Sequence, residues 1–436
     1  MKSFHIITFG CQMNEHDSER MSGILEDKEY VSVAQAQDAD VVILNTCSIR
    51  EKAEQKFFSE LGRLRTMKQE RPGLKIAVAG CIAQQEGQKI LSRAPYVDMI
   101  FGPSDISKLS DFIDRKQNWS LPLVDTAGDP EYHHKMLRAS RTDRIKAWVS
   151  IMYGCDNFCT YCVVPYLRGR ERSRSSHDIV NEVRGLALNG YKEVTLLGQN
   201  VNSYGKGSGD NVDFPSLLGL LNDVPGLDRI RFVTSHPRDL SERLITALRD
   251  LPKVCESLHL PVQSGSDAIL HAMNRKYTRE NYLDRVKRLR DAVPDIALTS
   301  DIIVGFPGET DRDFEQTMKL LEEVRYESIF AFKYSVRPGT AAVKLPNHVP
   351  IEIKEERLAA VLALQKGISL QENKSHIGAI REILIDGMSK HGGKLTGRTR
   401  GNKTVNIEGS ESLITSLVQV RILSAGISSL GGELCE

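Results

Sequence analysis

The chain has 436 residues, of which 40% are hydrophobic and 26% charged, a composition typical of a globular protein with two or three domains. Its net charge of +1 indicates no particular polyanionic partner, and no apolar run approaches the ~18 residues of a membrane helix, so we expect no membrane association. Because the N-terminus reads as a strand and not as a secretory signal, we expect a cytoplasmic protein with reduced thiols.

Residues 1–120 alternate apolar strands with amphipathic helices, which predicts a parallel sheet with helices on both faces. Three cysteines, Cys11, Cys47 and Cys81, each lie where a predicted strand passes into its helix. Since parallel strands end at one edge of a sheet, we expect these thiols to converge on a metal site. The alternative is that they are small buried residues without a ligand.

Residues 121–145 contain Pro122, Gly128 and Pro130 and are predicted to be a linker. Residues 135–175 carry nine Lys or Arg against three Asp or Glu, a local excess of six positive charges. This excess favours a phosphate-bearing substrate, although a solvated charged surface has the same composition.

Residues 146–372 contain six further strand–helix units, which predict a partial (βα)6 barrel with its chemistry at the carboxyl ends of the strands. The first of these ends carries Cys155, Cys159 and Cys162, spaced Cys-x3-Cys-x2-Cys. Three thiolates hold a four-iron, four-sulfur cluster by three irons and leave the fourth open for chemistry. A structural zinc site requires four ligands, so zinc and uninvolved thiols are the weaker alternatives.

Residues 373–436 change to short strands separated by Gly and Asn turns, which predicts a small antiparallel β-barrel. Lys394, Arg398, Arg400 and Lys403 cluster on one part of it. Small barrels with basic loops often hold nucleic acid, but a basic hairpin is also common on any protein surface.

The cysteine triplet on the first loop of a partial barrel resembles the radical S-adenosylmethionine (SAM) superfamily. With three cysteines ahead of it and a C-terminal barrel similar to a TRAM domain, the whole chain resembles the MiaB-type methylthiotransferases. The most similar segments are Thr8-Phe-Gly-Cys-Gln-Met-Asn, Asp17-Ser-Glu, Asn45-Thr-Cys-Ser-Ile-Arg-Glu-Lys-Ala-Glu and Val164-Pro-Tyr-Leu-Arg-Gly-Arg-Glu.

This resemblance implies two 4Fe–4S clusters and SAM as cofactors. The Cys155, Cys159 and Cys162 cluster would bind SAM and cleave it to a 5'-deoxyadenosyl radical, since no side-chain acid or base removes hydrogen from carbon 2 of adenine. The Cys11, Cys47 and Cys81 cluster would supply the sulfur. The implied reaction uses two SAM and a sulfur source to insert a methylthio group at carbon 2 of N(6)-dimethylallyladenosine at position 37 of tRNA. A reductant of the flavodoxin or ferredoxin type and a sulfur or cluster donor are the implied partners.

The resemblance also implies side-chain roles. Residues placed to contact SAM, the last two of them beside its adenine, are Gln199, Ser235, Gln263, Arg275, Glu309, Phe332 and Tyr334. Residues placed to grip tRNA phosphates are Arg168, Arg170, Arg172, Arg174, Lys394, Arg398, Arg400 and Lys403. Capping, core packing and salt bridges within a domain are the alternative roles of these residues.

Other substrates and another class of protein remain open. Related methylthiotransferases act on threonylcarbamoyladenosine in tRNA or on an aspartate of a small-subunit ribosomal protein. The Ser48-Ile-Arg-Glu segment argues against the former, and eight basic against six acidic residues in 374–436 favour RNA over the latter. An electron carrier or a non-catalytic RNA-binding module is the alternative of a different class, although carriers usually close each cluster with four cysteines.

Overall fold

The structure is a computed structural model that describes residues 2–47, 51–114, 122–128, 137–207, 209–389 and 392–435, with the backbone alone at 51–54. The Ser48-Ile-Arg part of the motif after Cys47 and residues 121 and 129–136 of the predicted linker lie outside the described residues. No helix among the described residues is long and apolar enough to cross a membrane.

The N-terminal unit is the predicted parallel sheet, with strands in the order β2-β1-β3-β4-β5-β6. Its strands are β1 (Ser3–Phe9), β2 (Val31–Ser32), β3 (Val41–Thr46), β4 (Lys75–Gly80), β5 (Met99–Phe101) and β6 (Leu123–Asp125). Its helices are α1 (Gln12–Asp27), α2 (Glu51–Glu70), α3 (Cys81–Glu86), α4 (Lys89–Arg93) and α5 (Leu109–Asp114). Helices α1 and α5 cover one face, and α2, α3 and α4 cover the other. The central strand β3 is buried throughout, as expected for a sheet covered on both faces.

One prediction for this region is wrong in part. Residues 123–125 of the predicted linker form β6, which pairs in parallel with β5. The segment is only three residues long and follows Pro122, so its pattern is too short to distinguish a strand from a loop.

The central unit is the predicted partial barrel of six parallel strands with helices outside. Its strands are β7 (Lys146–Ser150), β10 (Glu193–Leu197), β11 (Arg229–Phe232), β12 (Ser257–His259), β13 (Ala297–Val304) and β14 (Ser328–Lys333), and the short β8 (Met152–Tyr153) and β9 (Arg172–Ser173) form a separate pair. The helices are α6 (Val164–Leu167), α7 (Ser176–Leu188), α8 (Phe214–Asn222), α9 (Glu242–Asp250), α10 (Asp267–Ala272), α11 (Arg279–Ala292), α12 (Asp311–Val324) and α13 (Ile351–Ser375). Side-chain caps such as Ser241 and Thr278 begin these helices where the loops end.

The C-terminal unit is a closed barrel of five strands in the order β15-β16-β17-β19-β18. Its strands are β15 (Ile380–Met388), β16 (Leu395–Thr399), β17 (Thr404–Ile407), β18 (Leu417–Ala425) and β19 (Leu430–Leu434). The expectation of a purely antiparallel barrel is wrong at one pair, because β17 and β19 run parallel. The sequence pattern does not predict β19, because its Leu-Gly-Gly-Glu-Leu segment lacks the alternation typical of a strand.

The C-terminal barrel is attached to the amino-terminal ends of the central strands. At the start of β11, buried Arg229 donates to the carbonyl of Arg398 at 2.7 Å, and Arg231 donates to the carbonyls of Thr399 and Arg400 at 2.8 and 2.7 Å. The cysteine triplet lies at the opposite, carboxyl ends of the same strands. The central barrel therefore separates the C-terminal barrel from the cysteines.

Candidate metal and cofactor site

Cys11, Cys47 and Cys81 lie at the ends of three adjacent strands. Phe9, Thr46 and Gly80 are register partners at the last positions of β1, β3 and β4, so the residues that follow them lie side by side. The Cys47 thiol hydrogen-bonds to the thiols of both Cys11 and Cys81. The predicted convergence of these three residues is therefore present in the structure.

Glycine and asparagine side chains shape this edge. Gly80 has a φ of +88°, and a Cβ there would come within 2.5 Å of the Thr46 carbonyl and the Asn45 side chain, so only glycine fits before Cys81. Asn14 accepts from the Cys11 thiol at 3.3 Å and donates to Asn45 Oδ1 at 3.2 Å. These contacts fix the strand ends relative to one another.

The environment favours negative charge on two of the three sulfurs. The hydrogen bond from Cys47 lowers the pKa of Cys11 to about 6 and that of Cys81 to about 7, and the nearby positive charge of Arg168 acts in the same direction. The same hydrogen bonds and burial raise the pKa of Cys47. Since thiolates are the metal-binding form of cysteine, this arrangement suits metal ligation.

The second group, Cys155, Cys159 and Cys162, lies in the loop after β7 and β8. Gly154 has a φ of +77°, and a Cβ there would lie 2.0 Å from the Arg170 carbonyl, so the entry to this loop also requires glycine. Burial raises the pKa of Cys155, and raises that of Cys162 to about 12. These thiols are therefore protonated near neutral pH until a metal displaces the protons.

The two cysteine groups are adjacent. Helix α3 begins at Cys81 and packs against α6, which follows Cys162. Arg168, at the end of α6, is buried and donates to Asp17 on α1 at 2.9 Å, while its charge acts on Cys11 and Cys81. Arg168, which follows the triplet, thus also places a positive charge near Cys11 and Cys81.

The donor chemistry fits iron–sulfur clusters better than a mononuclear metal. Among the residues that the structure describes, no three His, Cys, Asp or Glu side chains surround a single metal ion. Cluster thiolates bind separate iron atoms and do not have to meet at one point, and soft thiolates suit iron–sulfur centres.

Buried polar atoms at the carboxyl ends of the central strands are suited to binding an organic ligand. Ser235 Oγ, Glu309 Oε1 and Tyr334 Oη are buried and have no hydrogen-bond partner within the described protein. Buried polar atoms in native proteins nearly always have one, and here they follow three different strands around the same end of the barrel. They fit a ligand with amino, carboxylate and hydroxyl groups, as SAM has.

The other predicted cofactor residues occupy the same end. Arg275 is buried, with Nη1 3.5 Å from Cys159 Sγ and Nη2 2.6 Å from the Pro261 carbonyl. Gln199 accepts from the Gly154 amide at 2.6 Å and so supports the loop before Cys155. Gln263 is buried at a left-handed φ of +75°, and Phe332 is half-exposed.

Glu309 is less available than predicted. Its Oε2 accepts from the Gly305 amide at 2.6 Å and from Arg357 at 2.7 Å, which leaves only Oε1 for a ligand. Arg357, on α13, was missed because it lies 48 residues after its partner and no local motif marks it.

Four of the eight predicted tRNA-binding residues are engaged within the protein. Arg168 and Arg174 are buried, and Arg174 pairs with Glu182 at 2.9 Å. Arg400 pairs with Glu256 at 2.6 Å, and Lys403 pairs with a glutamate of the central unit. A phosphate-binding role for these four does not fit this structure, because Arg168, Arg400 and Lys403 pair with residues of another unit and Arg174 pairs within the central unit.

The other four predicted residues lie at the surface. Arg170 and Arg172 are exposed near the cysteine triplet, and Lys394 is exposed and Arg398 half-buried on the C-terminal barrel. These four remain predictions for contact with RNA.

Models of known families match the three units in chain order. The model of Uncharacterized protein family UPF0004 matches residues 3–102, that of the Radical SAM superfamily residues 149–321 and that of the TRAM domain residues 374–434. Among solved structures, the radical S-adenosylmethionine methyltransferase TsrM from Kitasatospora setae is similar with a TM-score of 0.56, covering 82% of this chain and 76% of that one. At 13% identity this likeness shows the fold alone.

Close relatives cover the full length. A protein of Thermodesulfovibrio yellowstonii named tRNA-2-methylthio-N(6)-dimethylallyladenosine synthase is 51% identical over 433 residues, 99% of both chains. A protein of the same name from Caldicellulosiruptor saccharolyticus is 48% identical and covers 99% of this chain and 92% of its own.

The fold and the thiol site define an enzyme of the radical SAM superfamily, with a 4Fe–4S cluster and SAM as cofactors. At about 50% identity over the full length, the chain belongs to the family of tRNA-2-methylthio-N(6)-dimethylallyladenosine synthases. The resemblance to methylthiotransferases is confirmed.

Proposed function

We propose that this enzyme inserts a methylthio group at carbon 2 of N(6)-dimethylallyladenosine at position 37 of tRNA, using two SAM and a sulfur source. The observation that carries the proposal is the pair of adjacent three-thiol groups, in a chain about half identical to synthases named for this product. A three-thiolate cluster keeps one iron free, and a reaction that both activates a carbon and delivers sulfur requires two such sites.

Cys155, Cys159 and Cys162 hold the catalytic cluster in this proposal. When bound, the cluster and SAM supply the one-electron chemistry that removes hydrogen from an unactivated carbon. Arg275 contributes a fixed positive charge beside Cys159 and ties that thiol to the loop after β12. Ser235, Glu309 and Tyr334 offer their unpaired atoms to the amino, carboxylate and hydroxyl groups of SAM.

Cys11, Cys47 and Cys81 hold the second cluster and present the sulfur. The positive charge of buried Arg168 offsets the negative charge of thiolate ligands there. Because Asp17 on α1 accepts from Arg168 at 2.9 Å, the N-terminal unit and the triplet loop are fixed to each other, and the two clusters, when bound, would be held side by side.

The partners follow from this reaction. The proposed phosphate contacts of tRNA are the exposed Arg170, Arg172 and Lys394 and the half-buried Arg398. A flavodoxin- or ferredoxin-type reductant and a sulfur or cluster donor complete the proposed reaction. Because thiolate ligands stay free for metal in a reducing compartment, the proposal includes a cytoplasmic location.

The test is anaerobic reconstitution with iron, sulfide, SAM and a reductant, followed by mass analysis of nucleosides from three substrates. We expect methylthio product from an anticodon stem–loop RNA with N(6)-dimethylallyladenosine, and none from RNA with threonylcarbamoyladenosine or from the ribosomal protein. Formation of 5'-deoxyadenosine from SAM would exclude a mere electron carrier. Product from either of the other two substrates alone would overturn the assignment.

A further inference from the structure

The inner face of the central barrel carries an aromatic and an acidic side chain that the cofactor sites do not use. Phe330 on β14 is 52% exposed, although it lies in the middle of a strand whose neighbours Ile329 and Ala331 pack into the main core. Side chains alternate along a strand, so Phe330 faces the interior of the barrel and not the outer helices. An exposed aromatic ring inside a barrel is typical of a ligand surface.

Three neighbours complete this surface, which we call the inner patch: His259, Thr299, Asp301 and Phe330. His259 and Thr299 are register partners, as are Asp301 and Phe330, so all four project to one side of the sheet. The rings of His259 and Phe330 meet edge to face with centroids 6.1 Å apart.

His259 orients Asp301 in the patch. Its Nδ1 lies 2.9 Å from Thr299 Oγ1, and its Nε2 lies 3.5 Å from Asp301 Oδ1. Both ring nitrogens therefore have partners, and the Asp301 side chain is 30% exposed. Asp301 presents an acceptor beside the ring of Phe330.

The inner patch lies below the catalytic end of the barrel. Pro261, two residues after His259, accepts from Arg275, whose other nitrogen is 3.5 Å from Cys159 Sγ. Two strand residues span about 7 Å, which is about the width of a nucleobase. A base that contacts the patch therefore reaches the level of Pro261 and Arg275.

We propose that the inner patch reads the N6 position of the target base: Asp301 accepts a hydrogen bond from the N6–H group, and Phe330 packs against the dimethylallyl group on the same nitrogen. The assignment rests on the proposed function and specifies its substrate contacts. An acceptor and an aromatic ring on register partners match a nitrogen that carries one hydrogen and one apolar substituent. Carbon 2, two ring atoms from carbon 6, is then free to face the carboxyl ends of the strands.

Phe332 provides a matched comparison for Phe330. It lies two residues nearer to the cysteines on the same face of β14 and is 38% exposed. The sequence analysis placed Phe332 beside the adenine of SAM, and the inner patch leaves that prediction unchanged. Substitution of Phe330 is expected to affect the RNA substrate, and substitution of Phe332 the cofactor.

The first experiment compares two anticodon stem–loop RNAs, one with N(6)-dimethylallyladenosine and one with unmodified adenosine, on the reconstituted enzyme. Phe330→Ala should reduce the preference for the dimethylallyl RNA by about tenfold, with SAM cleavage and iron content unchanged. Phe332→Ala should keep the preference and raise the KM for SAM, and Leu188→Ala, on the exposed face of α7, should change neither. An unchanged preference in Phe330→Ala overturns the proposal.

The second experiment addresses the N6–H group with an RNA that carries an additional methyl on N6. The wild type should make about tenfold less product per SAM cleaved on this RNA, Asp301→Ala should show that loss on both RNAs, and Asp301→Asn, which keeps an acceptor oxygen, should retain most of the coupling. The proposed hydrogen bond between Asp301 and the N6–H group is wrong if the Asn and Ala variants lose product per SAM cleaved equally. It is also wrong if the wild type gives a normal yield from the methylated RNA. Absence of product from the wild type on every RNA instead overturns the proposed function, and the patch assignment with it.

Discussion

The two cysteine groups are built by the chain in different ways. Cys155, Cys159 and Cys162 come from one loop of eight residues, whereas Cys11, Cys47 and Cys81 meet only after β1, β3 and β4 have paired. Their charges also differ, since hydrogen bonding and Arg168 lower the pKa of Cys11 and Cys81 while burial raises that of Cys162. The N-terminal group therefore depends on strand pairing within its own unit and on the charge of Arg168 from the central unit, whereas the triplet depends mainly on its own loop.

The largest expected effect is that substitutions in the two cysteine groups remove different reaction products. Cys159→Ala should abolish both 5'-deoxyadenosine and methylthio product, because the catalytic cluster loses a ligand. Cys47→Ala should abolish the methylthio product but keep SAM cleavage, with iron falling from about eight to about four per chain. Anaerobic iron analysis and chromatography of both products measure this. Equal loss of SAM cleavage in both variants would show that the groups are not independent.

The next effect concerns the buried pair that joins the units. Asp17→Ala leaves Arg168 buried without its partner, which should lower the free energy of unfolding by about 3–5 kcal/mol. The matched control is Asp156→Ala, which removes the exposed partner of Arg170 and should cost below about 1 kcal/mol. Urea unfolding of the metal-free protein measures both. A similar loss of unfolding free energy in the two variants would mean that the Asp17–Arg168 pair is not shielded from solvent.

A pH effect probes a second, partly buried carboxylate of α1, Glu19. Burial raises the pKa of Glu19 to about 7, whereas the unfolded carboxyl titrates near ~4. Between these values the native state keeps a proton that the unfolded chain has lost, so stability falls as the pH rises through this window. The free energy of unfolding of Glu19→Gln should therefore be about 3 kcal/mol higher than that of the wild type above about pH 7. This difference should disappear below about pH 4. Unfolding midpoints across this range measure it, and a constant difference would contradict it.

The smallest expected effect compares two exposed arginines near the cysteine triplet with an exposed arginine elsewhere on the surface. Arg170→Ala and Arg172→Ala should each reduce the slope of log binding constant against log salt for tRNA by about 1. Arg249→Ala, on the exposed face of α9, should leave the slope unchanged. Filter binding or fluorescence anisotropy at several salt concentrations measures it. An unchanged slope in both arginine variants would remove this loop from the RNA contact.

Much of the architecture could be predicted from the sequence, because apolar periodicity marks each strand of a parallel sheet and places loop residues such as Cys11 and Cys81 at one edge. Side-chain direction in the segment from Arg168 to Arg174 could not. Arg168 is buried because Asp17, 151 residues earlier, packs against it, and Arg172 is exposed although its neighbour Arg174 is buried. Such pairing depends on contacts between units, which no local pattern records.

The attachment of the C-terminal barrel at the starting ends of the central strands has a geometric consequence. The central strand β14 has six residues and is about 20 Å long, so the C-terminal barrel and the Cys155, Cys159 and Cys162 loop lie at opposite ends of a unit of roughly this height. Arg229 and Arg231 hold this spacing by binding backbone carbonyls. The central barrel thus sets the distance between the C-terminal barrel and the cysteines. An RNA that contacts both must extend along the whole height of the central barrel.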